Sequence, residues 1–277
     1  MRWAHEIAML RPGLGSDPLG VLARIAATEH DLSIRLLAGT LLEYRRATQR
    51  WWFGIESAYR KPDGRPRPVY FVSSNTHALC NLLGGYARVQ RDKILEFVRE
   101  QNPEGLAADV DRAVESGDED ELNNLSYYLL RQYLHADPSI QEQRTAEVQA
   151  SDAQCGISTL SSPGHLDVNA QLFELGKLQP DQLDPRVRCD GMEVLAESDA
   201  VVINIDYPLG MAAYHHLTQL AQGVAEIRGI YVMGKAATLN GRVGDVMLST
   251  VAYDEHSENT YLFRNCFVAE DIAPYVQ

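Results

Sequence analysis

Three short polar loops in the sequence carry the residue types that hold phosphate or a sugar. They are Gly-Lys-Ala-Ala-Thr at 234–238, Ser-Ser-Asn-Thr-His at 73–77 and Ser-Ser-Pro-Gly-His at 161–165, and each follows a predicted strand. Small residues at the end of a strand let backbone N–H groups approach an anion closely. Ligands of open α/β sheets bind outside the carboxyl ends of the strands. The three loops are therefore candidates for one anion-binding cleft.

Lys235 is the positive charge among these loops. We expect Lys235 and Thr238 to face a cleft shared with the 73–77 loop or the 161–165 loop, and that cleft to prefer phosphate-bearing ligands. In the alternative, Lys235 pairs with a carboxylate such as Asp206 or Glu255, and the 73–77 loop only caps the next helix. The candidate binding residues are Gly234, Lys235, Ala236, Ala237, Thr238, Ser74, Asn75, Thr76, His77, His165 and Asp206.

The elements that would position these loops follow from the apolar pattern. Strands are predicted at Val69–Val72, Cys155–Leu160, Ala200–Asp206, Gly229–Gly234 and Asp245–Asp254, and a helix from Met211 to Ile227. A near-continuous apolar run such as AVVINID is typical of a buried parallel strand. Strand, helix and strand between Ala200 and Gly234 predict a crossover unit with two parallel strands. The 234–239 loop would then lie at the carboxyl end of the second strand.

The chain changes character near residue 150. Residues 1–150 have a mainly helical pattern, with one short strand near 69–72, and the acidic stretch Glu115–Glu121 is interpreted as a solvated loop and helix start. Residues 151–277 alternate strands and helices. The fold class expected is α/β, a helical N-terminal region followed by an α/β region with a mixed, partly parallel sheet.

Four segments in order resemble the nucleoside phosphorylase and nucleosidase superfamily, of the purine-nucleoside and uridine phosphorylase kind. They are the crossover at 203–220, the loop Gly234–Leu239, the Gly-Asp-Val-Met turn at 244–247, and the segment at 254–261; the closing stretch at 267–272 also resembles the superfamily. The likeness covers about residues 198–277 and indicates a separate family within that superfamily. It adds Glu255 and His256 to the candidate ligand residues. Asp245 is interpreted as structural, bonding the backbone of its turn.

The resemblance implies a fold and an activity, but the sequence departs from the superfamily at several positions. Lys235 stands where the superfamily has Ser or Thr on phosphate, and Ala237 replaces a glycine. The Met-Glu pair for the ribose and the Asp for the base would follow Gln277, so we expect the α/β region to be incomplete at its C-terminal end, with catalytic residues unassigned.

Composition excludes several function classes. With 25 Lys and Arg against 38 Asp and Glu, the net charge of −13 argues against a nucleic-acid or anionic-membrane surface. No apolar run approaches the roughly 20 residues of a membrane helix, and the start does not read as a secretory signal, so a cytoplasmic protein is expected. The four cysteines have no CxxC spacing, and adjacent His215 and His216 cannot readily share one ion. No metal and no cofactor are expected, with phosphate as a possible co-substrate.

Two main hypotheses for function remain. The first is an enzyme that acts on the N-glycosidic bond of a nucleoside or nucleotide with phosphate or water. The second is a non-catalytic protein on the same fold that binds or senses a nucleoside or phosphorylated metabolite. A third reading is a helical adaptor that uses its α/β part for assembly. A homo-oligomer is expected in each case.

Overall fold

A computed structural model describes residues 18–27, 40–162, 166, 168–208, 210–234, 241–242 and 244–275. The chain forms two compact units, Met1–Met233 and Gly234–Gln277. Each unit is considered by itself below.

The first unit is built on a five-stranded mixed sheet with the strand order β2-β3-β4-β1-β5. Its strands are β1 (Val69–Ser73), β2 (Ile157–Leu160), β3 (Ala170–Glu174), β4 (Val201–Ile205) and β5 (Ile227–Val232). β1 pairs in parallel with β4 and β5, whereas β3 is antiparallel to β2 and β4. Four strands therefore point one way and β3 alone points the other.

The helices of the first unit precede the sheet strands or connect them. They are α1 (Pro18–Ala27), α2 (Leu41–Tyr59), α3 (Ala78–Gly84), α4 (Tyr86–Val89), α5 (Arg91–Gln101), α6 (Ala107–Ser116), α7 (Glu119–His135), α8 (Gln141–Gln154) and α9 (Met211–Gly223). The acidic stretch at 115–121 contains the end of α6, a left-handed Gly117, and Asp118, whose side chain caps α7. It is the loop and helix start that the sequence predicts.

Helices α2 and α9 cover one face of the sheet. α2 begins with a capping box, in which Thr40 and Glu43 satisfy each other's backbone amides. Its buried side chains pack with alternate residues of the strands, such as Phe71 and Ile203. The indole Nε1 of Trp51 donates to the Val168 carbonyl at 2.8 Å. These contacts fix α2 and α9 against the sheet.

The opposite face of the sheet is covered by α3. Leu79, Cys80 and Leu83 of α3 pack against a cluster that includes Phe173 and Val202. Helices α5, α6 and α7 form a separate apolar core, which includes Ile94, Val110 and Leu129. Both faces of the sheet are therefore buried, which explains the near-continuous apolar run of β4.

The predicted crossover unit is confirmed, with one addition. β4 and β5 lie in the same sheet, each parallel to β1, and α9 connects them. β1, from the helical N-terminal region, lies between them, so residues 1–150 and 151–277 contribute to one sheet. α9 ends at Gly223 rather than Ile227, because Ile227 already pairs with Val69 as the first residue of β5.

The second unit contains a hairpin of β6 (Val251–Asp254) and β7 (Asn259–Leu262), followed by the short helix α10 (Ala269–Ile272). The strand predicted at 245–254 is shorter than expected, since only its last four residues pair with β7. Asp245 accepts a hydrogen bond from the Arg242 amide at 2.7 Å, as the structural interpretation of this residue predicts. Among the helices that the structure describes, none is long and apolar enough to span a membrane.

Candidate ligand site at the carboxyl edge of the sheet

The carboxyl ends of four strands meet at one edge of the sheet. Ser73, the last residue of β1, is in register with Ile205 of β4 and Val232 of β5. Leu160, the last residue of β2, is in register with Ala170 of β3, which pairs with Ile205. The loops that follow β1, β2, β4 and β5 therefore all start at this edge. The convergence of the three polar loops on one cleft stays a prediction, because residues 163–165 and 235–240 lie outside the described part of the chain.

A topological switch point lies between β1 and β4. The chain that leaves β1 enters α3 on one face of the sheet, whereas the chain that leaves β4 enters α9 on the other face. Because adjacent loops turn to opposite faces, a crevice opens between them in folds of this kind, and ligands bind there. The 74–77 loop and Asp206 lie at this point.

The 74–77 loop is held mainly by its own hydrogen bonds. The side-chain oxygen of Asn75 accepts from the amide of His77 at 2.9 Å and from that of Ala78 at 2.6 Å. The amide of Ser74 donates to the Ile205 carbonyl at 2.9 Å. Asn75 thus caps the start of α3, and the amides of His77 and Ala78 are both bonded to its side chain. The side chain of His77 is exposed, and Thr76 is half-buried.

A buried polar network that the sequence interpretation missed lies under this loop. Asn204 of β4 is fully buried, and its side-chain oxygen accepts from Ser74 Oγ at 2.9 Å. Its Nδ2 donates to the Asn75 carbonyl at 3.2 Å and to Gln171 Oε1 at 2.9 Å. Gln171 in turn donates to the Thr76 carbonyl at 2.8 Å. The signal in the sequence is an asparagine inside an otherwise apolar strand, since buried polar groups must be paired.

Cys80 is drawn into the same network but is not a nucleophile. Its sulfur accepts from Gln171 Nε2 at 3.0 Å. Burial, with a smaller contribution from the Asp152 carboxylate, raises the pKa of the Cys80 thiol to about 12. Reactive cysteines have a low pKa, so this thiol has a structural role.

Asp206 follows β4 directly and is half-buried. Its carboxylate accepts from the Tyr207 amide at 2.9 Å, and within the described part of the chain it forms no ion pair. One carboxylate oxygen is thus bonded to the adjacent backbone.

The structure brings only some of the predicted residues to this edge. Gly234 follows Met233, whose amide donates to the Ser73 carbonyl at 2.8 Å. Predictions for Lys235, Ala236, Ala237, Thr238 and His165 fall outside the described residues.

Glu255 and His256 belong to the second unit, in the turn between β6 and β7. The His256 amide donates to Asp254 Oδ1 at 3.1 Å, and Ser257 Oγ donates to Asp254 Oδ2 at 2.5 Å. These bonds, with that of Ser257 the stronger, lower the pKa of Asp254. The side chains of Glu255 and His256 are exposed. The local geometry of this segment is that of a tight turn.

No cluster of three or more His, Cys, Asp or Glu side chains suited to a metal ion occurs in the part of the chain that the structure describes. Cys80, Cys155, Cys189 and Cys266 are free thiols.

The comparison with known proteins gives a family but no activity. The family of unknown function DUF6909 matches residues 3–277, so the chain belongs to this family. No curated protein and no solved structure matches the chain.

Proposed function

We propose that this member of a family of unknown function binds a nucleoside or nucleotide at the carboxyl edge of its sheet and cleaves the N-glycosidic bond with phosphate or water. The observation that carries the proposal is the switch point between β1 and β4, where the 74–77 loop and Asp206 lie. Phosphate is the co-substrate in the phosphorolytic form of this reaction. The resemblance to nucleoside phosphorylases supplies the substrate class.

The chemistry of the residues in and near the edge supports this ligand class. The carboxylate of Asp206 can accept hydrogen bonds from ribose hydroxyls, and the exposed imidazole of His77 can bond to a base edge or a phosphate oxygen. In the sequence analysis Lys235 is the cation assigned to phosphate, toward which it would act as a point charge.

A non-catalytic binding protein is the second candidate. The observation that favours it is the internal bonding of Ser74, Asn75, Gln171 and Asn204, which leaves these groups paired with one another. Groups held in this way shape a rigid cradle rather than take part in proton transfer. Under this candidate the same crevice would bind the nucleotide without releasing its base.

Release of free base distinguishes the two candidates. A panel of nucleosides and nucleoside monophosphates would be incubated with the chain, with and without phosphate, and free base measured by chromatography. Asp206→Asn and Lys235→Ala should each lower the rate at least tenfold, and Lys93→Ala, an exposed lysine on α5, should not.

Saturable nucleotide binding without base release would favour the binding protein. Absence of both binding and base release would contradict both candidates.

The proposal extends to the location, assembly and partners of the protein. We place the protein in the cytoplasm, as a homo-oligomer that takes a small-molecule ligand and binds neither nucleic acid nor membrane. The net charge of −13 supports the last two points, because both surfaces are anionic.

A further inference from the structure

A second cavity lies between helices α2 and α9, away from the strand ends. The two helices run in the same direction, since Tyr44 contacts His215 near their first turns and Tyr59 Oη donates to the Gly223 carbonyl at their ends. The cavity has a volume of about 340 Å³, within the range of small-molecule sites. None of the residues that line it belongs to the loops of the sheet edge. Its lining includes Arg45, Thr48, Gln49, His215, Thr218 and Gln219.

The charge of the cavity is positive in a strongly acidic chain. Among the residues that the structure describes, Arg45 lines it and no carboxylate does. In the described part of the chain Arg45 forms neither a hydrogen bond nor an ion pair, and its side chain is exposed. A guanidinium without a partner matches the paired oxygens of a phosphate or a carboxylate.

His215 is the second polar group without a partner. It is only 8% exposed, and its Nε2 is buried without a hydrogen bond. The ring lies between the rings of Tyr44 and Tyr214, at centroid distances of 5.6 and 5.4 Å. Leaving a buried polar atom unpaired is unfavourable, so a partner for this nitrogen would stabilise the bound state. Because the His215 ring lines the cavity, a rotation of the ring that uncovers Nε2 would let a ligand oxygen be that partner.

The neighbouring His216 also has a buried Nε2 without a hydrogen bond, but its ring is held away from the cavity. His216 is fully buried, its Nδ1 bonds to the Ala212 carbonyl at 2.7 Å, and its ring packs edge-on against Trp51 at 4.6 Å. It does not line the cavity. Of the adjacent pair, His215 is thus the residue placed for a ligand.

We propose that the cavity between α2 and α9 binds a small organic oxyanion, with its phosphate or carboxylate group on Arg45 and His215. The carboxamides of Gln49 and Gln219 would bond to polar substituents of the same molecule. The inference shares no residue with the proposed nucleoside site, so either can fail without the other.

Titration with four probes tests the proposal. Inorganic phosphate, phenyl phosphate, succinate and benzoate would be added to the full chain and followed by calorimetry and by the rise in Tm. At least one probe should bind saturably, and the order of affinities separates phosphate from carboxylate ligands. Arg45→Ala should weaken that binding at least tenfold, while Arg46→Ala, which removes the adjacent exposed guanidinium outside the cavity, should change it less than twofold.

A second readout reports on His215 directly. The side-chain ¹⁵N resonances of His215 should shift along the titration, and those of exposed His256 should not. His215→Gln should weaken binding in a protein whose circular dichroism is unchanged; if this variant does not fold, the Arg45 and Arg46 pair decides alone. The proposal would be overturned if none of the probes bound saturably, or if Arg45→Ala and Arg46→Ala lost affinity equally.

Discussion

Two shielded aspartates show how surroundings decide the charge of a carboxyl group. Asp184 accepts hydrogen bonds from the Arg186 guanidinium, at 2.9 and 2.8 Å, and from Tyr127 Oη at 2.5 Å. These bonds, those of Arg186 first, hold its pKa well below the usual range despite burial. Asp152 of α8 has no such partner, and burial raises its pKa to about 6. The first carboxylate stabilises the fold at neutral pH, and the second destabilises it.

Replacing Asp152 should therefore stabilise the protein in a pH-dependent way. Because the pKa of Asp152 is raised on folding, its ionisation lowers stability as the pH rises from about 4 to about 6. Above pH 6 the cost is complete, at about 1–3 kcal/mol. Asp152→Asn should raise the free energy of unfolding by that amount in urea at pH 7.5, and by much less at pH 4.5. Asp190→Asn, an exposed carboxylate, is the control; an equal gain at both pH values for Asp152→Asn would contradict the argument.

At the scale of elements, the network around Asn204 joins β3, β4 and the loop after β1. Asn204→Leu would remove one hydrogen-bond partner each from Ser74, Gln171 and the Asn75 carbonyl. We expect a loss of about 2–4 kcal/mol in the free energy of unfolding. Amide hydrogen exchange at His77 and Ala78 should become faster, because the loop that caps α3 loses its support. A double-mutant cycle with Ser74→Ala should show coupling, and additive losses would mean that the two residues act separately.

The contact between α2 and α9 gives a matched pair of glycine substitutions. A Cβ on Gly223, the last residue of α9, would overlap the indole ring of Trp52. Gly223→Ala should therefore lower the free energy of unfolding by about 1–3 kcal/mol, the usual cost of overpacking. Gly54, within α2, has open space around it, so Gly54→Ala should raise stability by up to about 1 kcal/mol through helix propensity. Thermal and urea unfolding would measure both changes in stability. A loss in both variants, or a gain in both, would contradict the contact between Gly223 and Trp52.

Much of this architecture could be predicted from the sequence, and the remainder depends on distant pairings. Four of the five sheet strands were expected, because buried strands are apolar runs. β3, Ala170–Glu174, was missed since the buried Gln171 interrupts its apolar pattern. The place of β1 between β4 and β5 comes from the pairing of Val69 with Val201 and Ile227, which local periodicity does not contain. At the candidate site the sequence indicated the loops, but not the asparagine and glutamine that support one of them.

At the scale of the whole molecule, β5 is an edge strand with apolar side chains in solvent. Ile230 and Val232 are 48% and 71% exposed, and β5 follows β1 at the end of the strand order. Natural edge strands usually carry charges or bulges that prevent pairing with another chain; β5 has them only at its start, where Arg228 falls at a shift in register. An apolar edge of this kind supports the proposed homo-oligomer.

Charging this strand should therefore reduce self-association. Val232→Lys places a positive charge on the edge, where it opposes strand pairing, and should shift the mass measured by light scattering toward the 30.9 kDa of one chain. Val89→Lys changes an exposed valine on α4, far along the chain from the edge strand, and should leave the mass unchanged. Both variants should keep the Tm of the unaltered protein, since each side chain lies in solvent. A monomeric unaltered protein, or an oligomer that Val232→Lys does not weaken, would show that β5 is not where two chains meet.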